Sequence, residues 1–406
     1  MEVNDMKTIV FIGTNKSGSS REATKAAEKL GYFTVLLTSN ERQFEQREQY
    51  VDIHKMIFVD TSNMEAMKAE ILKLQSIGFD IKMIISFVDP YVHVASMLCD
   101  MFCQNLTSSK AIEIMEDKEA TRKLLQSTLY SPQFTVIAPS EKPAGKLAFP
   151  IIIKSPKSTG SKDVLMAKDM KEFNKHLTAL QQKYPSESII SEEYLKGEQY
   201  LVEVIVQEHR PHIIAVMRQD ITRGKRFIIT GYQLFANIPP NLVTGLETLC
   251  KSIVDIFDIN TGAFHLELRL TTNGWKLIEI NPRISGGAMN RMIEAAFGIN
   301  LVEQTLKLFL GDKPDFTPKH YHFVYTKYLI VHKKGRLEKV TGKLRALKSP
   351  GIFDVYIKPK KGTILIPPLS MGHRYAYIIA QGSSISEAVS RANRAAHEIK
   401  FHMRSL

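Results

Sequence analysis

The sequence has little cysteine and no long apolar segment. Its three cysteines, Cys99, Cys103 and Cys250, are too few for a disulfide framework or for a zinc site with four ligands. The spacing of Cys99 and Cys103 is typical of one buried helix face. No apolar run approaches the roughly 18 residues that a membrane-spanning helix needs, and the N-terminus lacks the apolar core of a signal peptide. These absences favour a cytoplasmic protein.

Acidic residues are also in short supply relative to basic ones. The 406 residues have a net charge of +12, which could indicate nucleic acid as a partner. However, the basic residues are interspersed with acidic ones, no nucleic-acid recognition motif accompanies them, and a polyphosphate substrate would equally require positive charge. We therefore expect no nucleic-acid partner and no membrane partner.

Length and composition predict a folded protein with more than one unit. A chain of 406 residues is longer than a single hydrophobic core usually supports. Its contents of 44% hydrophobic and 24% charged residues are near the average of globular proteins. A doubly wound α/β domain is predicted for residues 1–112, because helical patterns separate four strand candidates: Thr8–Ile12, Thr34–Leu37, Lys55–Val59 and Met83–Phe87. A Gly/Ser-rich loop at residues 13–19 lacks the Gly-Lys-Ser/Thr ending of a phosphate loop, and we interpret it as a structural turn.

The rest of the chain predicts two α+β domains. Asp117 is expected to cap a helix that continues through Leu125. A central α+β domain is predicted for residues 113–188, and a C-terminal α+β domain for residues 189–406. Within the latter, a closing subdomain starts at about residue 313 and ends on a helix near the C-terminus.

The segment from Phe264 to Gly287, FHLELRLTTNGWKLIEINPRISGG, predicts a β-hairpin. A two-residue Asn273-Gly274 loop would mix apolar and charged residues on both faces. A three-residue loop from Thr272 to Gly274 instead gives one apolar face. That register forms four facing pairs: Leu268 with Ile278, Leu266 with Ile280, Glu267 with Glu279, and His265 with Asn281.

The facing carboxylates of Glu267 and Glu279 are the strongest chemical signal. Two carboxylates in this position repel each other unless a cation lies beside them. Oxygen ligands from Glu267, Glu279 and Asn281 suit Mg²⁺ held against phosphate oxygens. The alternative is an exposed hairpin whose charges are merely solvated.

This succession of a glutamate, a hairpin and then Glu-Ile-Asn-Pro-Arg at residues 279–283 resembles the metal-binding end of the ATP-grasp enzymes. The resemblance implies an ATP-grasp fold that binds ATP and Mg²⁺, with Mn²⁺ as a substitute. It also assigns Glu267 and Glu279 to the nucleotide site as well as to the metal.

Two lysines and a loop extend the resemblance. Lys118 is similar to the first phosphate lysine of the family, and Lys154 to the lysine at a strand end. The loop from Ser158 to Val164, which contains Ser161, is similar to the loop that closes over the triphosphate. The resemblance therefore implies that Lys118, Lys154 and Ser161 bind ATP.

The segment from Ile189 to Gly197 resembles the strip between domains that binds adenine. The resemblance implies that Glu192 accepts the exocyclic amine, that Glu193 belongs to the same strip, and that Leu195 packs near the ring. Where the family commonly has a ribose-binding glutamate, this sequence has Gln199, with Glu198 beside it.

The C-terminal end of the hairpin resembles the amino-acid ligase branch of the family. There the arginine after Asn-Pro stabilises the transferred phosphoryl group, a role that falls to Arg283. The glycine pair Gly286 and Gly287 follows it, with Gly286 beside the reacting group and Gly287 beside the substrate. Asp89 matches an acidic residue that binds a substrate amino group, although it could equally cap a helix N-terminus.

The resemblance is to ligases that make dipeptides from L-amino acids through an aminoacyl phosphate, and among them to arginine-preferring ones. The expected partners are small molecules, ATP and amino acids, with a homodimer as the expected assembly. Two other readings stay open. One is a carboxylase or a ligase of other substrates, such as a D-alanine type, and the other is a regulatory protein that binds ATP without turnover.

Overall fold

The protein is represented by a computed structural model that describes residues 6–142, 148–155, 163–222 and 227–406. These residues form four β-sheets. The first is parallel, with the strand order β3-β2-β1-β4. Its strands are near-continuous apolar runs, as expected of strands that are covered on both faces. Their bounds are β1 Met6–Ile12, β2 Phe33–Thr38, β3 Lys55–Phe58 and β4 Phe79–Ile85.

Six helices surround or follow this first sheet: α1 Ser19–Lys29, α2 Glu41–Glu45, α3 Met64–Ser76, α4 Val92–Phe102, α5 Ser109–Glu116 and α6 Lys118–Leu125. Asp117 lies between the last two. Its carboxylate accepts hydrogen bonds from the backbone N–H groups of Glu119 and Ala120, so the predicted cap is confirmed. The cap fixes the start of α6, and therefore the position of Lys118, its first residue.

The second sheet is antiparallel, in the order β5-β8-β6-β7, with α7 packed on one face. Its elements are β5 Phe134–Ile137, β6 Ile151–Lys154, β7 Val164–Ala167, α7 Met170–Lys183 and β8 Ile189–Glu193. Because β8 pairs with both β5 and β6, this sheet continues five residues past the domain boundary expected at residue 188.

The third sheet is the largest and has eight strands, in the order β13-β12-β9-β10-β11-β14-β18-β16. Helix α8 covers one face. Helix α9 packs on the other face, and α10 and α1 join the same hydrophobic core, with α1 packed against α10. The bounds are β9 Glu198–Gln207, β10 Arg210–Ile221, β11 Ile229–Leu234, α8 Pro240–Phe257, β12 Gly262–Thr271, β13 Gly274–Asn281, α9 Met289–Phe297, α10 Leu301–Phe309, β14 Phe323–Leu329, β16 Ile352–Ile357 and β18 Ala376–Gly382.

The C-terminal part of the chain adds a small three-stranded sheet and two helices. Helix α12 packs on β14 and β18, where alanines at helical spacing allow close approach. The elements are β15 Gly335–Thr341, α11 Lys343–Leu347, β17 Ile364–Leu365, α12 Ile385–Glu398 and β19 Lys400–Arg404. Among all described helices, none is long and apolar enough to cross a membrane.

The β12–β13 hairpin corrects part of the predicted register. Three of the four expected pairs are confirmed: Leu266 with Ile280, Glu267 with Glu279, and His265 with Asn281. The loop length was wrong, since Thr271 pairs with Gly274 and only Thr272 and Asn273 form the turn. Leu268 faces Leu277 instead of Ile278, because a β-bulge leaves Ile278 unpaired and restores the register beyond it.

Candidate active site

The facing carboxylates of Glu267 and Glu279 separate two cavities. Both side chains line each cavity, so the pair forms their shared wall. Loss of hydration at Glu267, together with the charge of Glu279, raises the pKa of Glu267 to about 7. Lys118 lies on one side of the pair, with its Nζ 3.2 Å from Oε1 of Glu279. The alternative of a freely solvated hairpin is therefore wrong.

The first cavity, which we call the lysine cavity, has a volume of about 100 Å³. It lies between the second and third sheets. The following residues line it: Lys118, Ile152, Lys154, Val164, Glu192, Glu193, Tyr194, Leu195, Gln199, Phe227, Glu267, Arg269, Ile278 and Glu279. Most of the residues expected to bind nucleotide are thus brought together here. Ser161 lies outside the described residues.

A buried charge network forms one wall of the lysine cavity. Glu192 accepts from Nε of Arg122 at 2.6 Å and from Nζ of Lys154 at 2.8 Å. Burial opposes ionisation of Glu192, but the charges of Arg122 and Lys154 outweigh it and hold its pKa at about 2. Burial also lowers the pKa of Lys154 to about 8. Both oxygens of Glu192 are thus engaged by cations, while its predicted contact with an adenine amine stays a prediction.

Arg122 also explains the bulge in the hairpin. Its guanidinium donates to the carbonyl oxygen of Ile278 at 2.6 Å, and the N–H of Leu277 donates to the carbonyl of Tyr130 at 2.8 Å. These contacts give hydrogen-bond partners to the Ile278 carbonyl and the Leu277 N–H at the bulge. The bulge in turn places Ile278 on the wall of the lysine cavity next to Glu279.

Hydrogen bonds hold the side chains of Gln199 and Glu193 in the lining of the lysine cavity. The amide of Gln199 donates to Glu267 at 3.3 Å and accepts from Arg269. The Glu193 carboxylate accepts from the N–H of Gln133 at 2.9 Å. Both side chains line the lysine cavity. Their roles in binding ribose and adenine stay predictions.

The second cavity, the arginine cavity, has a volume of about 210 Å³. It adjoins the first sheet, the end of the hairpin and the C-terminal part of the chain. Its lining comprises Asp89, Leu201, Ile229, Tyr232, His265, Glu267, Glu279, Asn281, Arg283, Ser285, Gly286, Gly287, Met289, Met371 and Arg374. Every residue predicted to be catalytic or to bind substrate lines this cavity.

Asp89 and Arg283 form a two-point ion pair in the arginine cavity. Nε and Nη2 of Arg283 donate to the two carboxylate oxygens of Asp89. Burial opposes the charge of Asp89, but Arg283 outweighs it and lowers the pKa of the carboxyl. The alternative role of Asp89 as a helix cap is wrong, because the N-terminal cap of α4 is Tyr91, without a side-chain hydrogen bond.

Glu203 is a functional candidate that we did not predict. It is 1% exposed, and it accepts hydrogen bonds from both the N–H and the hydroxyl of Ser285. Burial raises the pKa of Glu203 to about 8, although the Ser285 amide and Arg283 act in the opposite direction. The signal in the sequence was a single acidic residue inside the apolar run Tyr200–Val206, which is costly unless it has a partner.

The loop that carries Gly286 and Gly287 is also held by the N-terminal domain. The Ser19 hydroxyl donates to the carbonyl of Ser285 at 2.6 Å. Gly18 has a φ of 83°, and a Cβ there would approach the Gly287 nitrogen to 2.8 Å. The Gly/Ser-rich loop at residues 13–19 therefore packs against the arginine cavity as a structural turn.

Two further titratable groups lie beside this cavity. Burial, reinforced by Arg283, lowers the pKa of His265 to about 4, and its Nδ1 lies 2.9 Å from the Arg283 carbonyl. Glu116 lines an adjoining acidic cavity with Asp89 and Glu113. Burial raises the pKa of Glu116 to about 7. These shifts favour the neutral form of His265, whereas a cationic ligand would favour the charged form of Glu116.

Glu267, Glu279 and Asn281 all line the arginine cavity, and their oxygen atoms are of the kind that a hard divalent cation prefers. Among the described residues, no three His, Cys, Asp or Glu side chains form a metal cluster. The set here consists of two carboxylates and the amide of Asn281, which completes an all-oxygen group. The raised pKa of Glu267 means that a cation would stabilise the charged pair.

Two protein families match parts of the chain. The ATP-grasp domain matches residues 147–291, which include Lys154, the carboxylate pair and Arg283. The L-amino acid ligase C-terminal domain 2 matches residues 327–404, which include Arg374. Together the two matches include most of the residues that line both cavities; Lys118 and Asp89 lie before the first match.

Relatives and solved structures extend the similarity over the whole chain. The L-arginine-specific L-amino acid ligase of Bacillus subtilis is 22% identical over 324 residues, 77% of this chain and 78% of that protein. The uncharacterized protein y4rH of Sinorhizobium fredii is 22% identical over 410 residues, 98% of this chain and 84% of its own. The crystal structure of an L-amino acid ligase from Bacillus licheniformis matches with a TM-score of 0.83 and 17% identity, over 98% of this chain and 99% of that one.

Proposed function

We propose that this chain, which belongs to the ATP-grasp ligases, joins two L-amino acids into a dipeptide and converts ATP to ADP and phosphate. The observation that carries the proposal is the carboxylate pair Glu267–Glu279, which forms a wall of both cavities. ATP in the lysine cavity would direct its γ-phosphate towards an amino acid in the arginine cavity. A regulatory protein that only binds ATP would not need the second cavity.

In the first step, a carboxylate oxygen of the donor amino acid attacks the γ-phosphorus. An O–P bond forms, the bond from the γ-phosphorus to the bridging oxygen breaks, and ADP leaves. Lys118 and Lys154 supply charge to the phosphates, and Arg283 supplies it where negative charge develops. The ion pair with Asp89 fixes the orientation of the Arg283 guanidinium.

In the second step, the amine of the acceptor amino acid attacks the acyl phosphate. A C–N bond forms, the C–O bond to the phosphoryl group breaks, and inorganic phosphate leaves, while the amine gives its proton to solvent. We expect the backbone around Gly286 to contact the developing oxyanion. Gly286 lines the arginine cavity, and Glu203 holds the preceding Ser285, which supports this role.

ATP-grasp enzymes use ATP together with a divalent metal ion, and we propose Mg²⁺ held by Glu267, Glu279 and Asn281. Mg²⁺ prefers oxygen ligands and phosphate oxygens. When bound, it would neutralise charge on the phosphates and on the carboxylate pair. Mn²⁺ is expected to substitute, because its ligand preference is similar.

We further propose that L-arginine is one of the two substrates. The name of the Bacillus subtilis relative supports it, as does the acidic cavity beside Asp89. A guanidinium stays charged at neutral pH and requires carboxylates or carbonyls as partners. Glu113 and Glu116 offer two carboxylates there, and a guanidinium would favour the charged form of Glu116.

Release of ADP tests this proposal directly. Each amino acid should be supplied alone and in pairs, with arginine, lysine, citrulline and alanine compared against one common second amino acid. We expect ADP release that depends on amino acids, with arginine the best of the four. Equal rates with all four would discard arginine and keep the ligase, whereas ADP release that no amino acid stimulates would overturn the ligase.

Two expectations about organisation accompany this proposal. We propose domains at residues 1–112, 113–193 and 194–406, with a closing subdomain from about residue 313; the pairing of β8 supports moving the second boundary. The homodimer stays a prediction, which light scattering on the purified protein tests.

A further inference from the structure

The two arginines of the arginine cavity differ in one respect. Arg283 is paired with the carboxylate of Asp89 through two hydrogen bonds. Arg374, which follows the short turn Met371–His373, lines the same cavity from the C-terminal part of the chain. Among the described residues, its hydrogen-bond acceptors are all neutral: the carbonyls of Met371 and Ile229 and the hydroxyl of Tyr232.

Among the described residues no carboxylate accepts a hydrogen bond from Arg374, although the charge of Glu267 acts on it, and other contacts hold it firmly. Its guanidinium carbon lies 3.8 Å from the centroid of the Tyr328 ring, a close cation–π contact. Tyr328 and Tyr232 are 6% and 5% exposed and pack against each other edge to face. The aromatic pair therefore fixes the guanidinium at the cavity wall. Of its five N–H donors, three point to Met371, Ile229 and Tyr232, and the other two can meet a ligand.

A dipeptide ligase needs one recognition site for an anion that Arg283 does not provide. The donor carboxylate becomes the acyl phosphate, and its charge is handled at Arg283 and the carboxylate pair. The acceptor amino acid keeps its own carboxylate throughout the reaction. That group must enter a cavity walled by Glu267 and Glu279, so it requires a separate cation.

We propose that Arg374 binds the α-carboxylate of the acceptor amino acid through a two-point contact. This inference rests on the proposed dipeptide ligase function and adds the element that selects amino acids over simple amines as acceptors. Binding at Arg374 tethers the acceptor at the wall formed by the C-terminal part of the chain. Its amine can then point towards the acyl phosphate beside Arg283 and Gly286.

The other anion that could meet Arg374 is the phosphoryl group. Hydroxylamine separates the two, because it attacks an acyl phosphate but has no carboxylate. The experiment therefore measures hydroxamate formation from the donor and hydroxylamine, and dipeptide formation from the donor and either an acceptor amino acid or its carboxamide. Wild type, Arg374→Gln and Arg374→Lys are compared, with Arg345→Gln as the matched control, since Arg345 is exposed and pairs with Glu398 in the same region.

We expect wild type to prefer the acceptor acid over its carboxamide at least about tenfold in kcat/KM. In Arg374→Gln, the KM for the acceptor acid should rise about 10- to 100-fold, while hydroxamate formation stays within about twofold. Arg374→Lys should recover part of the affinity, because it keeps the charge but loses the fork. Arg345→Gln should match wild type in every assay.

Three results would overturn this inference. Equal use of acid and carboxamide by wild type would do so without any variant. An equal fall of hydroxamate and dipeptide formation in Arg374→Gln would assign Arg374 to the phosphoryl group, and unchanged acceptor KM would remove it from the site. If wild type formed neither hydroxamate nor dipeptide with any amino acid, the ligase function itself would be wrong, which is a distinct outcome.

Discussion

The lysine cavity and the arginine cavity share one wall, but the charged side chains that line them are paired differently. On the lysine side, Lys154 and Arg122 already bind both carboxylate oxygens of Glu192, so these buried ion pairs exist before any ligand binds. On the arginine side, no carboxylate of the described residues accepts a hydrogen bond from Arg374, and burial raises the pKa of Glu203 to about 8. The ion pairs of the lysine cavity are therefore preorganised, whereas the proposed function has substrates supply the anion that meets Arg374.

The variant Glu279→Gln tests whether the carboxylate pair between the two cavities is needed for turnover. Glu279→Gln removes a charge needed by the cation and by the phosphoryl transfer, so turnover should fall about 100-fold or more with the fold intact. ADP release measures the loss, and circular dichroism checks the fold. Glu398→Gln is the control, because Glu398 is half-buried, pairs with Arg345 and lines neither cavity. Full activity in both Glu279→Gln and Glu267→Gln would refute the shared-wall assignment.

Arg283 tests whether the arginine cavity performs the chemistry. Arg283→Lys keeps a charge but loses the planar fork that Asp89 orients, so kcat should fall about 100-fold while KM values change little. Steady-state kinetics with both amino acids and ATP separate these parameters.

Asp89→Asn is the companion variant of that prediction. It leaves Arg283 without its anchoring charge, so kcat should fall about tenfold along with any rise in amino-acid KM. A rise in amino-acid KM with unchanged kcat would instead mean that Asp89 contacts the substrate amine and that its ion pair with Arg283 is not needed.

Lys154 tests the preorganised cavity. Lys154→Ala removes a cationic partner of phosphate and leaves Glu192 with Arg122 alone, so ATP affinity should fall about tenfold. In wild type, the ammonium is present below its pKa of about 8 and is lost above it, so ATP affinity should decrease as the pH rises through that value. Calorimetry measures both effects. Unchanged ATP affinity in Lys154→Ala and Lys118→Ala would remove nucleotide from this cavity.

Glu203 gives the smallest expected effect. Its pKa in the folded protein is raised to about 8, so between the ordinary carboxyl pKa of 4.5 and that value the folded state retains a proton that the unfolded state releases. Stability must therefore decrease as the pH rises through this window. Glu203→Gln keeps an accepting oxygen for Ser285 and should gain at least about 1 kcal/mol over wild type at pH 8 relative to pH 5. Parallel thermal unfolding curves at both pH values would contradict the raised pKa.

The strand periodicity allowed much of the hairpin to be predicted. Alternation with a period of two places Glu267 opposite Glu279 and His265 opposite Asn281, and both pairs are confirmed. The bulge at Ile278 could not be predicted, because its stability depends on Arg122 and Tyr130, which are far away in sequence. The shorter turn follows from that bulge, since one unpaired residue in β13 compensates for one residue fewer in the loop.

The ion-pair partners of the site residues could not be predicted from the sequence. The motifs placed Lys154 and Glu192 in one cavity, but their ion pair, and Arg122 as its third member, depend on packing between α6 and the second sheet. Asp89 was assigned a substrate amine, and it contacts Arg283 in the folded protein. Arg374 carried no local motif at all, since a single arginine after a turn is ordinary in any sequence.

The sequence by itself determined the local order of the protein: alternating strands and helices, the Asp117 cap, and the carboxylates that face each other across one hairpin. These features depend on residues close together in the chain, where periodicity and hydrogen-bonding preference act directly. The tertiary structure alone decided which charges are paired before substrate arrives. Burial and long-range contacts set that pairing: Arg122 and Lys154 both bind Glu192, whereas the described contacts of Arg374 are an aromatic ring, neutral hydrogen-bond acceptors and the charge of Glu267.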